Sequence, residues 1–142
     1  MTKKIKILSL DIGNYFGVAV SLDGEIAFTE EFKFKSFKQI ECKLKDYIRL
    51  WKPDIILAPY PTRFYNTIMK HSKMLGVICL TAEKFELPLI EVQDATCKKA
   101  VIGTGKAKKE DIEKFYKHLN INSEHILDSI MFIDWYLKAI EE

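Results

Sequence analysis

Apolar and polar positions along this chain predict strands first and helices later. Residues 4–11 (Lys-Ile-Lys-Ile-Leu-Ser-Leu-Asp) read as a central strand and residues 15–22 (Tyr-Phe-Gly-Val-Ala-Val-Ser-Leu) as a second. Asp23-Gly24 then gives a two-residue hairpin signal, because a type I′ turn needs positive φ at both central positions. The third strand, about 25–34, carries Ile26, Phe28, Phe32 and Phe34 on one parity, so one buried face is expected. Strands joined this way form an antiparallel meander. Ser36 and Gln39 fit a capping box at the start of a helix, and Phe37, Ile40, Leu44, Ile48 and Trp51 follow at helical spacing as its core stripe. Lys52-Pro53 stops that helix. The short apolar run 54–58 suits a buried parallel strand. A helix over roughly 63–85, a fifth strand over 87–92 and helices over about 94–101, 108–118 and 123–140 complete the pattern. In the last of these, Ile126, Ile130, Ile133, Leu137 and Ile140 form the expected buried stripe. The order predicts an α/β layered fold with a five-stranded mixed sheet: three meander strands plus two parallel strands, flanked by helices.

A chain of 142 residues suits one domain, 1–142, with a real hydrophobic core, and no linker, repeat or low-complexity segment divides it. Its 48% hydrophobic and 30% charged residues exclude the disordered and fibrous classes. A formal net charge of +2 does not by itself argue for nucleic acid. Distribution says more: Lys98, Lys99, Lys106, Lys108 and Lys109 make a local basic stripe, either a solvated loop or a phosphate-binding surface. Cys42, Cys79 and Cys97 are odd in number and without CxxC spacing, which suits reduced, mostly buried thiols in a cytoplasmic protein. No apolar stretch is long enough to span a bilayer, and Met1-Thr-Lys-Lys leads straight into a strand, unlike a secretory signal.

Two places carry candidate chemistry. Asp11 ends an apolar strand just before the Ile12-Gly13-Asn14 turn. A carboxylate there is costly unless water, a partner or a cation meets its charge, so Asp11 is either a metal or phosphate site or a satisfied turn residue. His125 and Asp128 lie three residues apart on one face of the last helix. They are either a second part of the same site or an ordinary surface histidine beside an aspartate favoured by the helix N-terminus.

Three segments together resemble the RuvC family of Holliday-junction resolvases, in the ribonuclease H-like superfamily. The first is Ile7-Leu-Ser-Leu-Asp11-Ile-Gly13 through Gly17-Val-Ala-Val. The second runs from Leu87-Pro-Leu-Ile-Glu-Val to Cys97-Lys98-Lys99-Ala-Val-Ile-Gly103-Thr-Gly105-Lys-Ala-Lys-Lys109, and the third is His125-Ile-Leu-Asp128-Ser-Ile. Their order and spacing match the family over nearly the whole chain, and the middle segment is the most specific. The resemblance implies a ribonuclease H-like fold and a metal-dependent endonuclease that resolves Holliday junctions or related branched DNA as a homodimer. The implied cofactor is Mg2+, with Mn2+ as a substitute, and two cations would sit about 3.5–4 Å apart to activate water and stabilise the departing 3′ oxygen. It further implies Asp11, Asp128 and His125 as metal ligands, Lys98 in DNA contact or catalysis, and Lys99, Lys106 and Lys109 on DNA phosphates.

One position departs from the family pattern. The family's Glu at the end of the fourth strand is replaced here by Pro59, within Leu57-Ala-Pro-Tyr-Pro-Thr-Arg63. Such a site holds one metal firmly, recruits an acid from elsewhere, or has lost cleavage, with Arg63 as a phosphate clamp or a plain surface residue. Tyr60, Phe64 and Tyr65 are either base-stacking or packing residues, and the helix over 63–85 is the expected dimer face. The competing functions are a junction-binding protein without cleavage and, suggested by Asp11-Ile-Gly-Asn14, an actin-like phosphotransferase. The latter usually needs two lobes and a second phosphate loop, which this length does not accommodate.

Overall fold

Strand β1 (Lys6–Asp11) runs through the centre of a five-stranded sheet in the computed structural model, which describes residues 4–61 and 65–141. Arg63 and Phe64 lie outside the described residues, as does the side chain of Tyr65. β2 (Tyr15–Leu22) and β3 (Glu25–Lys33) follow as the antiparallel meander, then α1 (Phe37–Trp51), β4 (Ile55–Pro59), α2 (Tyr65–Lys84) and β5 (Leu89–Val92). The sheet order is β3-β2-β1-β4-β5, with β1–β4 and β4–β5 parallel. The expected mixed sheet is therefore present. Asp23 and Gly24 have φ of 54° and 87°, as the type I′ hairpin requires.

α3 (Asp94–Val101), α4 (Lys109–Phe115) and α5 (Glu124–Ile140) complete the chain, with a 3-10 turn at Lys117–Leu119. α1 and α2 cover one face of the sheet around Leu8, Val18, Ile40, Leu44, Ile56 and Ile78. The three later helices cover the other, around Ile7, Ala19, Leu57, Ile130, Met131 and Phe132. Side-chain alternation sorts the residues of each strand between the two cores. On β1, Leu8 and Leu10 face α1 and α2, while Ile7 faces α5. Asp11 shares the parity of Ile7, so the strand carries it to the α5 side.

Several expectations need correction. Ile26 does not share a face with Phe28, Phe32 and Phe34: it packs in the α5 core and they pack on the opposite one. The cause is a β-bulge. Val20 pairs with Phe28 and Ser21 with Ile26, leaving Ala27 as an extra residue that reverses the alternation. The helix expected over 108–118 ends at Phe115, and Tyr116 leads into the separate 3-10 turn. Ile140 is not part of the buried stripe: as the last residue of α5 it is exposed, whereas Ile126, Ile130 and Ile133 are buried. Phe37, in the first turn of α1, is likewise exposed. Among the cysteines, Cys97 is buried but Cys42 lies on the exposed side of α1. The α1 cap forms largely as expected: Ser36 Oγ accepts from the Gln39 amide at 3.0 Å, while Gln39 Oε1 accepts from the amide of Lys35 at 2.7 Å, one residue earlier than in the usual reciprocal box.

Candidate active site

A cleft of about 630 Å³ opens where β1, β4 and β5 end and α3 and α5 begin. Ligands in α/β sheets commonly bind beyond the carboxyl ends of strands, where helix starts converge. Asp11, Asp128, His125 and Lys98 all line this cleft, as does Lys109. The residues singled out from the first, middle and last segments of the sequence thus meet in one place. Lys99 and Lys106 are exposed outside the lining.

α5 brings its two residues to β1 by an unusually close approach to the sheet. The side of β2 facing α5 is built from Gly17, Ala19 and Ser21, while Phe16, Val18 and Val20 point to the other core. A Cβ at Gly17 would fall 2.0 Å from the backbone oxygen of His125, so only glycine permits this docking. Ser129, fully buried, donates through its hydroxyl to Gly17 O at 2.8 Å and lies 3.1 Å from His125 O. The first turn is fixed as well: Ser123 caps Ile126 N at 3.1 Å and donates to Glu31 on β3 at 2.6 Å.

Within the cleft, His125 Nδ1 lies 3.1 Å from Asp11 Oδ2, and His125 Nε2 lies 3.6 Å from Glu124 Oε1. The hydrogen bond to Asp11 raises the imidazole above its ordinary range; burial pulls the other way, and the charges of Asp11, Glu124 and Glu31 add to the rise. Burial likewise pushes the Asp128 carboxyl well above the carboxylate range, with the charges of Asp11 and Asp94 adding to the push and Lys98 and His125 opposing it. Lys98 Nζ sits 2.6 Å from Asp94 Oδ2. Lys109 Nζ lies 3.4 Å from Glu124 and 3.9 Å from Glu113.

Asp94 is the residue that sequence reasoning missed. It lines the cleft in the first turn of α3, four residues before Lys98, and that i,i+4 spacing just past the fifth strand was the available signal. His71 of α2 also reaches the lining, where nothing local in the sequence marks it. Pro59 is at the lining too, as the last residue of β4. Tyr60 is exposed at the rim.

A divalent cation fits this cleft by charge and donor chemistry. Asp11, Asp94, Glu113, Glu124 and Asp128 face only Lys98 and Lys109 among the lysines of the lining, an excess of carboxylates that a bare phosphate would not enter. Hard carboxylate oxygens beside an imidazole suit magnesium or manganese. The side chains are not already gathered around an ion: among the described residues, no group of three or more His, Cys, Asp and Glu could hold a metal as they stand.

Comparison with known proteins settles the family. The model of the crossover junction endodeoxyribonuclease RuvC family matches residues 18–130. This chain belongs to the RuvC family. Curated RuvC relatives from two strains of Prochlorococcus marinus are 30% identical over 95 and 87 residues, covering 64% and 59% of this chain. The chain spans only 61% and 56% of those relatives' own lengths. Among solved structures, RuvC from Thermus thermophilus superposes with a TM-score of 0.76 at 15% identity, over 95% of this chain and 96% of the other. The fowlpox virus resolvase, solved with Holliday junction DNA, gives 0.61 at 11% identity over 97% and 100%. At such identities the likeness concerns the fold, which is that of RuvC and so ribonuclease H-like.

Proposed function

We propose that this RuvC-family chain is a structure-selective endonuclease that resolves Holliday junctions or related branched DNA by metal-dependent hydrolysis of a phosphodiester, working as a homodimer. The observation that carries this reading is the convergence of Asp11, His125 and Asp128 from opposite ends of the chain in one acidic cleft. Support also comes from the relatives: the Thermus RuvC and the fowlpox resolvase have both been solved with Holliday junctions.

Asp11 and Asp128 would hold Mg2+ or Mn2+, with His125 beside them. When bound, the cation supplies the positive charge that activates water and stabilises the departing 3′ oxygen. The chain's own residues do the rest. Asp11 fixes the His125 ring through Nδ1, and this ring orients the attacking water. Lys98 meets charge that develops on the phosphate, and Lys99, Lys106 and Lys109 guide the DNA backbone toward the cleft. Water adds to phosphorus as the bond to the 3′ oxygen breaks, leaving a 5′ phosphate and a 3′ hydroxyl.

A second reading, junction binding without cleavage, rests on Pro59: β4 reaches the cleft with a side chain that cannot ligate a cation. One experiment separates the two. The purified protein is incubated with a labelled four-way junction and a linear duplex, with Mg2+, Mn2+ or chelator. Paired, metal-dependent nicks in the junction alone are expected, and Asp11→Asn should abolish them while leaving junction binding nearly intact. Tight binding without nicks under any metal would leave only the second reading standing.

A further inference from the structure

The parallel pairing of β4 and β5 sets Pro59 beside Val92, and the Tyr60 amide donates to Val92 O at 2.8 Å, so the two strand ends are tied together at the cleft floor. From Val92 the chain needs only Gln93 to reach Asp94, where α3 begins. Asp94 therefore enters the cleft one strand over from the end of β4, alongside Asp11 and Asp128. Its charge and that of Asp11 are the two carboxylates acting on Asp128. A place in the first turn of a helix and an ion pair with Lys98 would each account for an aspartate here. Neither accounts for a carboxylate at the sheet end adjoining the strand that arrives without one.

Resting on the metal-dependent reading above, we propose that Asp94 supplies from the end of β5 the carboxylate that Pro59 cannot supply from β4, completing a cation-binding set with Asp11 and Asp128. Lys98 is then the resident counter-ion of the cation-free cleft. Asp94 would exchange the Lys98 ammonium for a divalent cation, and Lys98 would then be free to meet the phosphate of the DNA. Cation loading and exposure of the phosphate-binding lysine become one event.

Titration calorimetry with Mn2+ alone, on the metal-free full chain, tests this without reference to cleavage. The wild type should bind, Asp11→Asn should lose measurable binding, and Asp94→Asn should weaken it at least tenfold. Lys98→Met breaks the same ion pair but keeps the carboxylate, so it should bind Mn2+ as tightly as the wild type or tighter. Wild-type affinity in Asp94→Asn, with binding still lost in Asp11→Asn, overturns the role of Asp94 and leaves the proposed site intact. Equal losses in Lys98→Met and Asp94→Asn overturn it too, since the ion pair rather than the ligand would then matter. A wild type that takes up no Mn2+, or an Asp11→Asn variant that binds normally, overturns this inference and the proposed function together.

Discussion

His125 reports on the state of the cleft through its own protonation. Its bond to Asp11 raises the imidazole above the ordinary 6.5, against the opposing effect of burial. A histidine raised in the folded state stabilises the fold fully below its unfolded value, and that contribution fades as pH climbs through the folded value. In metal-free protein, stability should therefore decline as pH rises through the neutral region. NMR titration can follow this directly, since the chain has three histidines. The His125 resonance should titrate above the ordinary value, and Asp11→Asn should bring it down. An unshifted titration in that variant would dissociate the two residues. The same pairing shows what could be read in advance. Asp11, His125 and Asp128 were legible because their residue types stand at recognisable places on a strand end and a helix start. Asp94 was harder to read: its i,i+4 spacing to Lys98 signals an ion pair, and only the β4–β5 pairing, a tertiary fact, sets it next to the end of β4.

At the scale of elements, the site depends on how closely α5 lies on β2. Gly17→Ala would force the Cβ into the His125 carbonyl, and the helix must shift to admit it. Overpacking of this kind costs about 1–3 kcal/mol. The expected result is a folded protein with a Tm lowered by several degrees and, on the proposed reading, cleavage reduced at least a hundredfold, because misplacing catalytic groups by about 1 Å costs that much. Wild-type cleavage in this variant would show that helix placement is not limiting. Most elements were legible from periodicity, including the meander, its hairpin and all five strands. The exceptions have local causes. Ala27 adds one residue to β3 and reverses its faces, and no residue type in Glu25-Ile-Ala-Phe announces that bulge. Ile140 fits a helical stripe in sequence, yet it is the last residue of α5 and stands exposed.

On the scale of the whole molecule, helices cover both faces of the sheet and the cleft opens at one end of it, so on the proposed reading DNA would approach that end. The cleft is acidic, whereas the segment from Lys98 to Lys109 places lysines at and beside its rim. On that reading, attraction at the rim and repulsion at the floor would make binding depend on the lysines and cutting on the cation. Lys109→Ala, at an exposed position 3.4 Å from Glu124, should weaken junction binding and reduce the slope of log affinity against log salt by about 1, as loss of one phosphate contact predicts. Junction binding measured by fluorescence anisotropy between low and moderate salt provides the check, and an unchanged slope would remove Lys109 from the DNA surface.

The pairing of Asp11 with His125 joins residues 114 positions apart. Until α5 docks on Gly17, the cleft lacks Glu124, His125 and Asp128 whatever its other walls supply. On the proposed reading, a chain emerging from the ribosome is thus harmless to any nucleic acid it meets. Its power to cut would arrive only with α5, which carries His125 and Asp128 to Asp11.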